Sequence, residues 1–152
     1  MADNPRVFLD TSAQFSGIWS SVGGERMILK LGEAGAIQLF VSQQVLTEIE
    51  TTLRAKAAHS LGALAILLDR SRVQVVLSSE RHLYIARSLV SHPGDAQVLA
   101  AVYDSQVDFF VTLDRKHFFD NLKLREHLPC PMGTPGDFLT WFRARLQNYP
   151  AS

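Results

Sequence analysis

This chain is poor in the features that identify many protein classes at sight. It has one cysteine, Cys130, so no internal disulfide can form and a reducing compartment is its natural setting. It has no excess of either charge: fifteen basic and fifteen acidic residues give a formal net charge of zero, which argues against a broad, non-specific nucleic-acid binder. It has no long apolar run, and the longest uninterrupted one, ALAILL at Ala63–Leu68, is far short of a membrane span. The opening MADNPRVFLD has no stretch resembling a secretory signal. The histidines at 59, 82, 92, 117 and 127 form no HExxH pair, so no zinc pattern is present. A GxSxG elbow and a GxxxxGK[ST] phosphate loop are also missing, which removes the common serine-hydrolase and P-loop readings. We therefore expect a soluble, cytoplasmic protein, with residues 1–152 forming one domain.

What is present is an alternation of short apolar runs with segments of helical period. The runs Arg6–Asp10, Ile37–Val41, Val73–Leu77 and Asp108–Thr112 read as strands, with a weaker fifth near Cys130–Gly133. They are continuous rather than alternating, as expected for strands covered on both faces. Between them the pattern predicts helices over Glu25–Ala34, Gln43–Ala58, Ser60–Arg70, Glu80–Val90, Gly94–Ser105, about Phe118–His127, and Pro135–Leu146. Gly35 stops the first of these, Ser42 is available to cap the second, and Thr134 with Pro135 opens the last. Such alternation implies an α/β fold with a parallel sheet between helical layers. Ligands of such sheets gather at the carboxyl ends of the strands, where the strand order reverses.

Four acids occupy suggestive places. Asp10 ends the first strand and Asp114 lies just past the fourth; Glu48 rides on a helix, and Asp95 opens another after Pro93–Gly94. Each has an ordinary explanation. Asp10 could cap a helix, Asp95 could complement a helix dipole, and Asp114 could be a turn residue. Glu48 and Glu50 both flank the apolar stripe of Val45, Leu46, Ile49 and Leu53, and helical spacing does not choose between them. Taken together they point further. Crowded carboxylates repel unless a cation is present, and hard oxygen donors select Mg²⁺ or Mn²⁺.

The strings VFLDTS (Val7–Ser12), VLTEIE (Val45–Glu50), HPGDAQVLAAVYDSQVDFFVTLD (His92–Asp114) and GTPGDFLTWF (Gly133–Phe142) resemble, in order, the motifs of PIN-domain ribonucleases, particularly VapC-type toxins. The resemblance implies a three-layer α/β/α sandwich with strand order 3-2-1-4-5. It selects Glu48 over Glu50, and implies that Asp10, Glu48, Asp95 and Asp114 are the catalytic acids and line a Mg²⁺ or Mn²⁺ site. It also implies that Thr11, Ser12 and Thr112 support that site by hydrogen bonds. As partners it implies an RNA substrate, a cognate antitoxin and a second copy of the chain in a homodimer. Two positions depart from the family pattern. Leu113 stands where Gly is usual, and the acid that often accompanies Asp95 is missing, the next one downstream being Asp104.

Arg115, Lys116 and His117 directly follow Asp114 and are positioned to meet RNA phosphates, with Lys123 and Arg125 further along. Phe109, Phe110, Trp141 and Phe142 are expected in packing rather than base stacking, and Phe15 with Trp19 is the better pair for a subunit contact. A receiver-type phospho-acceptor would want a second acid after the first strand and a Lys after the last. An aspartyl-phosphate phosphatase would want Asp where Ser12 stands. The remaining alternative is a PIN-like binding or scaffold protein that is weakly active or inactive.

Overall fold

The computed structural model describes residues 4–10, 24–56, 58–113 and 121–148. Five strands form one sheet: β1 (Arg6–Leu9), β2 (Gln38–Ser42), β3 (Gln74–Val76), β4 (Phe109–Val111) and β5 (Met132–Gly133). All pairings are parallel, in the order β3-β2-β1-β4-β5. The helices of the described residues are α1 (Gly24–Glu33), α2 (Gln43–Lys56), α3 (Leu61–Arg70), α4 (Glu80–Arg87), α5 (Pro93–Ser105), α6 (Leu122–His127) and α7 (Pro135–Gln147). A single 3-10 turn, Ala58–Ser60, joins α2 to α3. The α/β fold expected from the alternation of elements, and the 3-2-1-4-5 order that the family resemblance implies, are the ones found.

The apolar runs form strands because they are covered on both faces. Val7, Phe8 and Leu9 of β1 and Phe109, Phe110 and Val111 of β4 are all buried. Phe8 and Phe110 meet edge to face with ring centroids 5.7 Å apart, a favoured aromatic arrangement. One helical layer holds α1 and α7, which pack on each other, with α7 also on β4 and β5; in the other, α5 packs against β2, β3, α2 and α4. Phe109 continues into an aromatic cluster with Phe138 and Trp141 of α7, and Phe138 stacks on Phe142. These aromatics are therefore packing groups, as expected.

Local sequence sets the element ends. Gly35 has φ +78°, and its N–H bonds Gly32 O while the Ala36 N–H bonds Leu31 O. That pair of bonds closes α1 as a left-handed cap that favours glycine. Gly32 is required for a different reason: a Cβ there would lie 2.5 Å from Leu39 Cδ1 and 2.9 Å from Ser71 O. Thr134 caps α7, accepting from the Asp137 N–H at 3.1 Å, while the Thr134 N–H donates to Asp137 Oδ2 at 2.9 Å. Pro93 lies inside the first turn of α5, where its missing N–H costs nothing. At the amino edge Arg6 ties the sheet together. Its backbone N–H donates to Asp108 Oδ2 at 2.8 Å, its guanidinium donates to Ser105 O at 2.7 Å, and its Cζ lies 4.4 Å from the Phe40 ring centroid. Among the described residues no helix is long and apolar enough to cross a membrane.

Candidate metal centre

The strand order reverses between β1 and β4, and the carboxyl ends at such a switch point are where open α/β sheets place their ligand sites. The two strands pair with Val7 opposite Phe109 and Leu9 opposite Val111. The next residues are therefore Asp10 and Thr112. The Asp10 N–H continues the ladder to Val111 O at 3.0 Å, and the Thr112 N–H reaches Gly133 O at 3.0 Å. Their side chains meet: Thr112 Oγ1 donates to Asp10 Oδ2 at 2.8 Å. Asp10 is 6% exposed and Thr112 is fully buried. A carboxylate taken this far from water is costly unless hydrogen-bonded or faced by a cation. The Thr112 hydroxyl supplies one such bond.

Glu48 and Asp95 approach the same edge on helices. α2 starts directly after β2, whose last residue, Ser42, is buried. Glu48 lies one and a half turns in, half-buried, and Gln44 Nε2 donates to its Oε1 at 3.1 Å. Glu50 on the same helix is exposed, so burial separates two residues that spacing could not. The Gln44 contact was not anticipated from sequence, although its i, i+4 spacing to Glu48 is the usual one for such pairs. Asp95 is half-buried in the first turn of α5, the end that precedes β4 by a full helix and so faces the carboxyl edge.

The structure joins Asp10 to Thr112 and sets Glu48 and Asp95 on two helices that pack together. Among the described residues, no three His, Cys, Asp or Glu side chains form a group able to hold a metal ion. Asp10, Glu48 and Asp95 thus do not complete a cage by themselves. Asp114, Thr11, Ser12, Arg115, Lys116 and His117 lie outside the described residues, as do Phe15 and Trp19. The donors at this edge are hard carboxylate oxygens, a chemistry that fits Mg²⁺ or Mn²⁺ and not a thiolate-bound or imidazole-bound zinc.

Asp104 belongs elsewhere. It lies nine residues beyond Asp95, about 13 Å along the helix at 1.5 Å per residue. It clamps α4 onto α5 instead. Asp104 Oδ1 accepts from Ser79 Oγ at 2.8 Å, Oδ2 accepts from the Ser79 N–H at 2.6 Å, and His82 Nδ1 closes on Oδ1. The His82 ring stacks on Tyr103 with centroids 5.6 Å apart. Desolvation pushes the Asp104 carboxyl upward, but the bonds from Ser79 and His82 outweigh it and hold its pKa below the usual carboxylate value. Lys123 is also committed, donating to Ser88 O at 2.9 Å. A cavity of about 400 Å³ between α1 and α3, bordered by Arg26, Lys30 and Arg70, contains none of the candidate acids.

A family model described as a PIN domain matches residues 6–116. No curated protein matches the sequence. Several solved structures share the fold. VapBC2 from Rickettsia felis, bound to a DNA fragment from its promoter, superposes with a TM-score of 0.64 at 16% identity, over 84% of this chain and 98% of that one. PAE2754 from Pyrobaculum aerophilum gives 0.62 at 16% identity, over 92% of this chain and 90% of that one. VapC20 from Mycobacterium tuberculosis, described as a sarcin-ricin loop cleaving toxin, gives 0.52 at 18% identity, over 72% and 91%.

Proposed function

Because the chain belongs to the PIN-domain family, we propose that it is a Mg²⁺- or Mn²⁺-dependent endoribonuclease and the toxin of a toxin–antitoxin pair. The observation that carries this reading is the buried Asp10 carboxylate at the β1/β4 switch point, held by Thr112 at 2.8 Å. A buried acid at the carboxyl edge, fixed by a neutral hydroxyl, is pre-oriented for a cation. Asp10 and Asp95 would hold the ion most directly, Asp114 would contribute to holding it, and Glu48, steadied by Gln44, would orient the attacking water or help hold a second ion. When bound, such an ion neutralises the charge that builds on the phosphate and assists formation of the nucleophile. Thr112, Thr11 and Ser12 keep the acids in place by hydrogen bonds. Arg115 and Lys116 grip RNA phosphates, which makes binding salt-sensitive without reading sequence.

Residues 1–152 act as one PIN-like domain in the cytoplasm, pair with a second copy, and are silenced by a cognate antitoxin. The solved relatives support this to the extent that VapC20 is described as a sarcin-ricin loop cleaving toxin and VapBC2 as bound to promoter DNA.

The test is cleavage of labelled RNA in Mn²⁺ by the wild type, Asp10→Asn and Asp95→Asn. The expected result is cleavage by the wild type and a loss of roughly a hundredfold or more in each variant, the scale of removing one preorganised electrostatic group. Equal cleavage by all three proteins refutes the assignment. The second reading, a PIN-like scaffold, is favoured by one observation: the acid that often accompanies Asp95 is missing, and the next one downstream, Asp104, is committed to Ser79. It prevails if no RNA is cut and calorimetry detects no Mn²⁺ binding.

A further inference from the structure

A second cavity, of about 270 Å³, opens on the same carboxyl edge, beside the candidate metal centre rather than within it. Its floor is the end of β3 and the segment after it, and its walls are the start of α2 and the first turns of α4 and α5. β3 lies two strands from β1, roughly 10 Å at the usual strand spacing. Gln43 and Gln97 line it with Thr47 and Ser78, while Leu77 and Leu83 form an apolar wall. None of the described lining side chains is charged. Gln44 also lines it and donates to Glu48, so cavity and acid share one side chain as their boundary. Asp95 precedes Gln97 by two residues on α5.

This chemistry is wrong for a phosphate and right for a nucleobase. A phosphate would be met by Arg, Lys or a nest of N–H groups, and the cavity offers neutral amides and hydroxyls. Single-stranded RNA is read where a base is splayed out, packed on an apolar or aromatic wall and hydrogen-bonded along its edge. A carboxamide offers a donor and an acceptor side by side, the arrangement with which Gln reads a base edge. Gln43 is partly fixed for this purpose, its Nε2 lying 3.4 Å from Thr47 Oγ1, and Thr47 Oγ1 in turn donates to Gln43 O at 3.0 Å. Ser78 is fixed by donating to Gln97 O at 2.7 Å, which locks the β3–α4 connection onto α5. We infer that this amide-lined cavity seats one unstacked base of the RNA substrate, one or two nucleotides from the cleaved phosphodiester, and so sets sequence preference. The inference rests on the ribonuclease reading for its substrate, but it predicts base-dependent binding that does not require cutting.

The experiment has two arms. In the first, a randomised single-stranded RNA pool is cut in Mn²⁺ by the wild type, Gln43→Ala and Gln97→Ala, and the new ends are sequenced. The wild type should prefer one base at a single position within two nucleotides of the cut, by roughly five- to 150-fold, the range for one bidentate base contact. Both variants should flatten that preference while still cutting the pool. A wild type without preference, or variants that keep it unchanged, overturns the inference and leaves the ribonuclease reading intact. The second arm measures binding of a short RNA, and of copies with a single abasic site moved along it, by fluorescence anisotropy in Ca²⁺. One abasic position should weaken binding to the wild type severalfold and have no effect on Gln97→Ala. If base-dependent binding survives without any cutting, the nuclease reading fails and the base site stands; if every abasic copy binds alike, the base site is refuted.

Discussion

Replacing Thr112 by Val removes one hydroxyl from a fully buried position and leaves the side-chain volume nearly unchanged. The lost interaction is the 2.8 Å bond to Asp10 Oδ2. A hydrogen bond to a charged group contributes about 1.5–3 kcal/mol, and a buried carboxylate left short of a donor carries its desolvation cost in full. The expected loss of stability is therefore about 2 kcal/mol at neutral pH, which for a chain of this size is roughly 4–8 °C in Tm. A single variant cannot separate that bond from a packing defect, because Val is not a neutral replacement for Thr. The double-mutant cycle with Asp10→Asn can. Asp10→Asn removes the charge that the hydroxyl holds, so most of the Thr112→Val penalty should vanish in that background. Urea denaturation of the four proteins should give a coupling of about 1–2 kcal/mol, within the range for side chains in direct contact. A coupling below about 0.5 kcal/mol, the scatter expected for independent sites, would refute the claim that Thr112 positions the carboxylate.

Gly32→Ala should destabilise the protein by about 1–3 kcal/mol in denaturant melts, because the new methyl overlaps Leu39 and the Ser71 carbonyl; the overlap exceeds the gain in helix propensity of about 1 kcal/mol. The Asp104 clamp should give an acid-dependent contribution to stability. Its folded pKa lies below the unfolded value of 3.8, so the unfolded chain binds the proton more readily, and the contribution is complete above that value and disappears as pH falls through the folded pKa. In melts from pH 6 to pH 2, Asp104→Asn should flatten this part of the profile, and an unchanged profile would refute it. Cys130 should resist alkylation: desolvation, with Asp108 adding repulsion, pushes its thiol up to about 12. At pH 8 its reaction with iodoacetamide should be roughly a thousandfold slower in the native protein than in urea, following the thiolate fraction.

The strands were legible because both faces of most of them are buried, so each reads as an uninterrupted apolar run. β3 is the instructive exception. Gln74 and Val75 are exposed on an edge strand, and the structured part shrinks to three residues within the longer Val73–Leu77 run. The helix expected over Glu80–Val90 stops at Arg87 because Leu89 and Val90 turn back to bond Ala86 O. Both are buried, so they continue the apolar period after the helix has ended. The site was legible only in pieces. Pattern placed Asp10 at a strand end, but its contact with Thr112 spans 102 residues and depends on β1 and β4 being neighbours. No local period encodes that adjacency; it came from family likeness. The bonds that commit Asp104 to Ser79 and His82 were invisible for the same reason, since they depend on how α4 folds back on α5.

Leu113 shows what that adjacency makes possible. It stands where the family motif usually has Gly, and a glycine is needed when the backbone must turn left-handed or when a side chain would fill a space that is required. Among the described residues, the non-glycine positions with positive φ are Arg72 and Gln106, so residue 113 makes no left-handed turn. Successive side chains of an extended segment point to opposite sides. With Thr112 turned inward to Asp10, Leu113 turns outward, and it is 39% exposed. The leucine therefore does not separate the two strand ends, and the Thr112–Asp10 contact forms without a glycine beside it. Strand pairing and the Thr112 hydroxyl thus both act on the orientation of the first acid, and neither needs a glycine at position 113.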